Sequence, residues 1–138
     1  MRKLLALVLL FGCTSITVQP VKPPTPAFIC IEENPKVAVS DFLPAIRSLL
    51  SAHGIRSEVV QKGAAFPDRC EAVLTYVAYK RWDFDTYLVR AELYVEREHE
   101  QIGYAEYHLR GNGGLSFFKW QASRTKMEPV IDRLFGEK

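Results

Sequence analysis

Between Cys70 and Leu109 the chain alternates its side-chain character almost without a break, and this stretch limits the possible folds more than any other. In Cys70–Lys80, Val73, Thr75, Val77 and Tyr79 alternate with Ala72, Leu74, Tyr76 and Ala78. Successive side chains of a strand point to opposite faces, so apolar character on both sides predicts a central strand. Trp82-Asp83-Phe84-Asp85 reads as a turn. Over Tyr87–Arg97, Tyr87, Val89, Ala91, Leu93 and Val95 share one face, and Arg90, Glu92, Tyr94 and Glu96 share the other. That is an amphipathic strand with one wet side. Glu98–Glu100 reads as a hairpin connection and Gln101–Leu109 as the partner strand.

The flanking segments add helices. Phe28–Glu32 is a short apolar, branched run, read as a strand that Glu33-Asn34-Pro35 ends. Ser40 offers a helix cap, with Asp41 in the first turn where the dipole favours an anion. Phe42, Ile46, Leu49, Leu50 and His53 recur at helical spacing, and Gly54 supplies the stop, predicting a helix over Asp41–His53. Ile55–Gln61 is a weaker strand and Lys62–Asp68 a loop. Gly111–Gly114 is a turn without the lysine of a phosphate-binding loop. Met127, Val130, Ile131, Leu134 and Phe135 form the stripe of a packed helix. Thr125 and Glu128 resemble a capping box that starts it; alternatively one longer helix runs from near Phe117 and kinks at Pro129. The order β-α-β-β-β-β-α predicts a single α+β domain with a four- to five-stranded mixed sheet and two helices on one face.

The amino terminus carries an address. Arg2 and Lys3 precede the apolar run Leu4–Phe11, which is shorter than the about 20 residues that span a bilayer. Charged head, apolar middle and small residue at the cut are the parts of a secretory signal over residues 1–12. Leu10-Phe11-Gly12-Cys13 resembles the lipobox of bacterial lipoproteins, with Phe11 bulkier than usual. The resemblance implies cleavage before Cys13 and lipidation of its thiol. Membrane contact then comes through acyl chains, at ~0.8 kcal/mol per buried methylene. Residues 13–26 hold Pro20, Pro23, Pro24 and Pro26, a composition that favours an extended tether. Residues 27–138 remain as the domain.

Removal of residues 1–12 also corrects the charge. Of the 18 Lys and Arg, Arg2 and Lys3 leave with the signal, and the rest balance the 16 Asp and Glu. A neutral chain without a basic cluster argues against nucleic acid as a partner. With Cys13 assigned to lipid, Cys30 and Cys70 remain as an even pair in a compartment where disulfides persist. Closing that loop stabilises a fold by roughly 3–4 kcal/mol. The alternative is two buried free thiols. Two distant cysteines without a paired His or Cys lack zinc spacing, so no metal is expected.

Reactive groups are few. His53 ends a helix, where a partly positive ring suits the dipole, with no acid adjacent in sequence. His99 lies in a turn. His108 shares a strand face with Glu106 and Tyr104, an arrangement that could orient a general base, but no serine or cysteine nucleophile is fixed nearby. Glu32-Glu33 and Asp83/Asp85 are carboxylate pairs whose separation sequence does not set. Tyr76, Tyr94 and Tyr104 are expected on one exposed sheet face with Arg90, Glu92 and Glu106, a surface suited to a protein or glycan partner.

Ile29-Cys30-Ile31-Glu32-Glu33-Asn34-Pro35, Ala105-Glu106-Tyr107-His108-Leu109-Arg110-Gly111 and Lys119-Trp120-Gln121 resemble a family of small uncharacterised proteobacterial lipoproteins. The similarity covers nearly all of the chain after Cys13. It implies an envelope lipoprotein without known activity, and Cys30 and Cys70 match cysteines of that family. Thr14 is not the aspartate that retains lipoproteins in the inner membrane of enteric bacteria, which implies outer-membrane anchoring with the domain facing the periplasm. The function expected is non-catalytic: binding an envelope partner or assisting assembly, with no cofactor. The alternatives are a periplasmic hydrolase using His108 and Glu106, and a carrier of a small apolar ligand.

Overall fold

The computed structural model describes residues 14–110 and 117–136. The signal, the lipobox cysteine Cys13 and the Gly111–Gly114 turn lie outside the described residues. In chain order the elements are β1 (Thr14–Gln19), β2 (Phe28–Glu32), α1 (Phe42–Ala52), β3 (Arg56–Val60), β4 (Ala72–Asp83), β5 (Asp85–Arg97), β6 (Glu100–Leu109), a 3-10 turn (Phe117–Trp120) and α2 (Ser123–Phe135). They build an α+β domain with both helices packed on one face of a mixed sheet ordered β1-β6-β5-β4-β2-β3.

β2 runs parallel to β3 on one side and β4 on the other, and α1 supplies the crossover that a parallel neighbour requires. β4, β5, β6 and β1 follow as antiparallel neighbours. At the turn between β5 and β6, Glu98 and His99 have φ of 51° and 65°, the left-handed pair of a tight hairpin.

The helix-covered face is the core. Leu74, Ala91, Leu93, Val95 and Ala105 of the sheet meet Phe42, Ile46, Leu49 and Leu50 of α1 and Met127, Val130, Ile131 and Leu134 of α2. All of these side chains are buried, and burying each of the larger ones contributes about 1.5–3 kcal/mol. Cys30 and Cys70 are joined in a disulfide with their Cα atoms 5.4 Å apart, which ties the middle of β2 to the residues just before β4.

The sheet has six strands rather than four or five, because the domain begins earlier than expected. Thr14–Gln19, read from sequence as part of a tether over residues 13–26, is edge strand β1, paired from Thr14↔Leu109 to Gln19↔Tyr104. Its β-branched Thr14, Ile16, Thr17 and Val18 favour extended pairing, and Ile16 and Val18 pack against the core. The prolines beyond it do not hang free. Val21 N–H donates to Leu134 O at 2.9 Å, Lys22 N–H donates to Ile102 O at 2.9 Å, and Pro26 is buried. A Cβ on Gly103 would lie 2.6 Å from Val21 Cγ2, so the close approach of this segment to β6 requires glycine there.

The helix starts also differ from expectation. Asp41, not Ser40, occupies the cap position of α1, and its carboxylate makes no cap bond to that helix. It accepts instead from Ser123 N–H at 3.0 Å and Ser123 Oγ–H at 2.7 Å, capping α2 across the helix pair. Thr125 and Glu128 therefore do not start a helix, and Pro129 lies inside α2.

Candidate functional site on the open sheet face

The face of the sheet away from the helices is polar at its centre. Directly paired residues share a face, so the register Arg90↔His108, Glu92↔Glu106 and Tyr94↔Tyr104 sets these side chains side by side on β5 and β6. Two carboxylates opposite each other are unfavourable alone. Arg90 relieves the conflict: its Nη2 lies 2.8 Å from Glu92 Oε1 and 3.4 Å from Glu106 Oε1. Tyr94 donates its hydroxyl to Glu92 Oε2 at 3.0 Å and Tyr104 donates to Glu106 Oε2 at 2.9 Å. The two tyrosine rings lie 5.2 Å apart between centroids.

These contacts shift the titrating groups. Partial burial first, then the hydrogen bond to Glu106, pushes Tyr104 up to about 12. Tyr94 is raised by burial and by its bond to Glu92. The guanidinium of Arg90 is held more firmly charged by its bond to Glu92 and by both carboxylates. Phenols that hold their protons this tightly are poor bases near neutral pH. The cluster is a fixed array of hydrogen-bonding groups, and Arg90 Nε is buried there without an acceptor.

Tyr76 does not belong to it. Tyr76 pairs with Leu93, so it faces the core and packs on Phe42 with ring centroids 5.4 Å apart. Strand parity decides this: Thr75, one residue earlier, pairs with Tyr94 on the open face. His108 is exposed, and the two oxygens of Glu106 are engaged by Tyr104 and Arg90. The pair proposed as an oriented base is thus not assembled through a hydrogen bond between its members.

The acid that sequence did not place beside His53 comes from α2. Asp132 Oδ1 lies 2.7 Å from His53 Nε2 and links the end of α1 to the neighbouring helix. The pair bridges the two helices as Asp41 and Ser123 do at the other end of α1. Seventy-nine residues separate it in sequence, so no local signal marks it.

Two buried lysines were also invisible. Lys119 pairs with Asp83. Lys126 donates its ammonium to Leu88 O at 3.0 Å and to Lys119 O, and burial pulls it down to about 8 against the opposing pull of Asp41. Both ammonium groups lie 5.6 Å from the centroid of Tyr87. A groove of about 410 Å3 runs alongside, with Ile16, Tyr107, Leu109 and Pro129 among its walls. Among the described residues no three His, Cys, Asp or Glu side chains are grouped to hold a metal ion. No helix among them is long and apolar enough to cross a membrane.

The architecture defines a two-layer α+β domain with a disulfide and a hydrogen-bonded sheet face that no described helix covers. No protein-family model matches the chain, and no curated protein matches it. Among solved structures it is similar to a dodecamer of a point variant of PelC from Paraburkholderia phytofirmans. The TM-score is 0.55 at 11% identity, covering 86% of this chain and 98% of that one. At that identity the likeness is one of fold.

Proposed function

We propose that the chain is a non-catalytic envelope lipoprotein, anchored through acyl chains on Cys13, that works by associating with a protein partner. The observation that carries this reading is the uncovered face of β5 and β6. There Arg90, Glu92, Glu106, Tyr94 and Tyr104 form a polar array tied together by ion pairs and hydrogen bonds, adjoined by an open hollow lined by Tyr79, Trp82, Arg90 and His108, a form suited to another protein surface. The lipobox supports the anchor, and the absence of an aspartate after Cys13 supports the outer membrane, with the domain in the periplasm. The fold shared with a protein crystallised as a dodecamer makes a second copy of this chain the first partner to test.

The test is crosslinking in intact envelopes, with wild type beside a Cys13→Ser form and an Arg90→Glu form. The reading expects a discrete adduct in wild type that both substitutions abolish. An adduct pattern that neither substitution changes contradicts it. Palmitate labelling that fails to mark the chain contradicts the anchor.

A second reading, as carrier of an apolar ligand, draws on the groove between β1 and α2. Extraction of the purified protein followed by mass spectrometry tests it, and an empty extract removes it.

A further inference from the structure

Among the described residues, four of the five large exposed aromatic side chains, all but Phe66, are concentrated at one end of the molecule. Tyr79, Trp82, Phe84 and Phe118 are 54%, 74%, 88% and 70% exposed. Scattered singly such residues need no explanation, but gathered they mark an interaction surface. Trp82 and Phe84 form the tip of the β4–β5 hairpin, and Tyr79 lies on β4 just below it. Phe118 lies on the 3-10 turn, which braces the tip. Trp120 donates its indole N–H to Asp83 O at 2.7 Å, and Lys119 pairs with the Asp83 carboxylate. Phe84 has φ of 62°, which an ordinary side chain adopts only under constraint, so the tip is held in a defined shape.

The register places Thr14 at this same end. Thr14 pairs with Leu109, next to His108, which pairs with Arg90, which pairs with Tyr79. Beyond that row the β4–β5 hairpin continues through Trp82↔Thr86 to Asp83↔Asp85. At ~3.4 Å per residue the tip stands roughly 10–14 Å past the level of Thr14. Cys13 directly precedes Thr14, and the packing of residues 14–26 on the domain leaves no spacer between them.

We propose that this aromatic end is a bilayer-contact surface, with Trp82 and Phe84 inserted at the lipid interface and Tyr79 and Phe118 at its rim. The proposal rests on the anchoring of Cys13 given above and states how the anchored domain is seated. Interfacial segments bury their apolar side by roughly 5–10 Å, which the projecting tip matches. Tryptophan and tyrosine favour the headgroup level because one end of each ring system is apolar and the other polar. Lys80 and Arg81 flank the tip and suit anionic headgroups. Of the nearby acids, Asp83 is paired with Lys119 and Asp85 accepts from Thr86 N–H at 2.7 Å. The domain therefore lies against the membrane instead of standing tens of ångströms away.

The experiment supplies the anchor chemically. The chain from Cys13 onward holds every described element, and its other two cysteines are in the disulfide. Its Cys13 thiol is coupled to a maleimide phospholipid in phosphatidylethanolamine/phosphatidylglycerol vesicles, with and without brominated acyl chains. Bromine is expected to quench wild-type tryptophan emission, and Trp82→Phe to lose most of that quenching because Trp120 is half-buried. Without coupling, a Trp82→Ser/Phe84→Ser double variant is expected to partition to the vesicles about tenfold more weakly than wild type. Equal quenching of wild type and Trp82→Phe, or none in either, overturns the proposal. So does shielding of Trp82 by a second copy, seen as a crosslinked dimer through the tip. Palmitate labelling of cells is scored separately. Its failure beside positive quenching refutes the natural anchor and leaves the surface supported.

Discussion

The two faces of the sheet have been built to different rules. The face under the helices is mainly apolar: Leu74, Ala91, Leu93, Val95 and Ala105 are buried there, and the hydroxyl of Tyr76 beside them accepts from Asn34 N–H. The face turned away carries an arginine, two glutamates and two tyrosines that bond to one another within and across β5 and β6, with Arg90 Nε left without an acceptor. Hydrophobic burial dominates the first, and its free energy depends on filling volume. Mutual hydrogen bonding to carboxylates organises the second, where a net gain is at most about 1.5–3 kcal/mol per bond and less where solvent reaches it. The difference teaches that the covered side specifies the fold while the open side is nearly independent of it. A surface that costs little to change and is nonetheless so ordered is where association should be sought.

The comparison can be broken most forcefully from the covered side. Leu93→Ala leaves a cavity between the sheet and the helices, and chemical denaturation should show a loss of about 2–5 kcal/mol. A loss below about 1 kcal/mol would mean the core is not the stabilising layer described here. Next comes the disulfide. Cys70→Ser should lower stability by roughly 3–4 kcal/mol, because 40 residues of sequence separation no longer have their ends tied in the unfolded chain.

The buried ammonium at the margin of the core gives a pH signature. Unfolded Lys126 keeps its proton to about pH 10.5, whereas folded Lys126 loses it near 8. Between those values the unfolded state binds more protons, so stability should rise with pH, by at most ~3 kcal/mol. Above about pH 10 the slope should reverse, since folded Tyr104 holds its proton to about 12 while the unfolded phenol gives it up sooner. Lys126→Met should flatten the rise and leave the fall, a difference that thermal melts across that range would show.

The smallest stability effects belong to the open face. Tyr94→Phe and Tyr104→Phe should each cost less than about 2 kcal/mol in denaturation, since each bond goes to a partly exposed carboxylate. A larger loss would show that the open face shares the folding role, and the contrast between the faces would fail.

What sequence made legible follows from which signals are local. Alternation in β4, β5 and β6 and the stripe of α2 were readable because period and burial coincide within each element. β1 was missed because a cluster of prolines follows it, and its partner, β6, lies some ninety residues downstream. The placement of Tyr76 failed on a parity of one residue, which the bulge between Tyr79 and Lys80 makes hard to count from the hairpin. Within the candidate site, Tyr94, Tyr104, Arg90, Glu92 and Glu106 were assigned to one face from strand periodicity. Their mutual bonds depend on the pairing register of β5 and β6. His53–Asp132 and Asp41–Ser123 were beyond reach, since each joins the two helices across more than seventy residues.

The association claim is met most directly by photocrosslinking in intact envelopes, with a photoreactive phenylalanine replacing Tyr104 in one strain and Phe66 in another. The account predicts a discrete adduct from position 104, at twice the chain's mass when the partner is a second copy, and its loss in an Arg90→Glu background. No adduct from position 104, or a pattern indistinguishable from that of position 66, would contradict it.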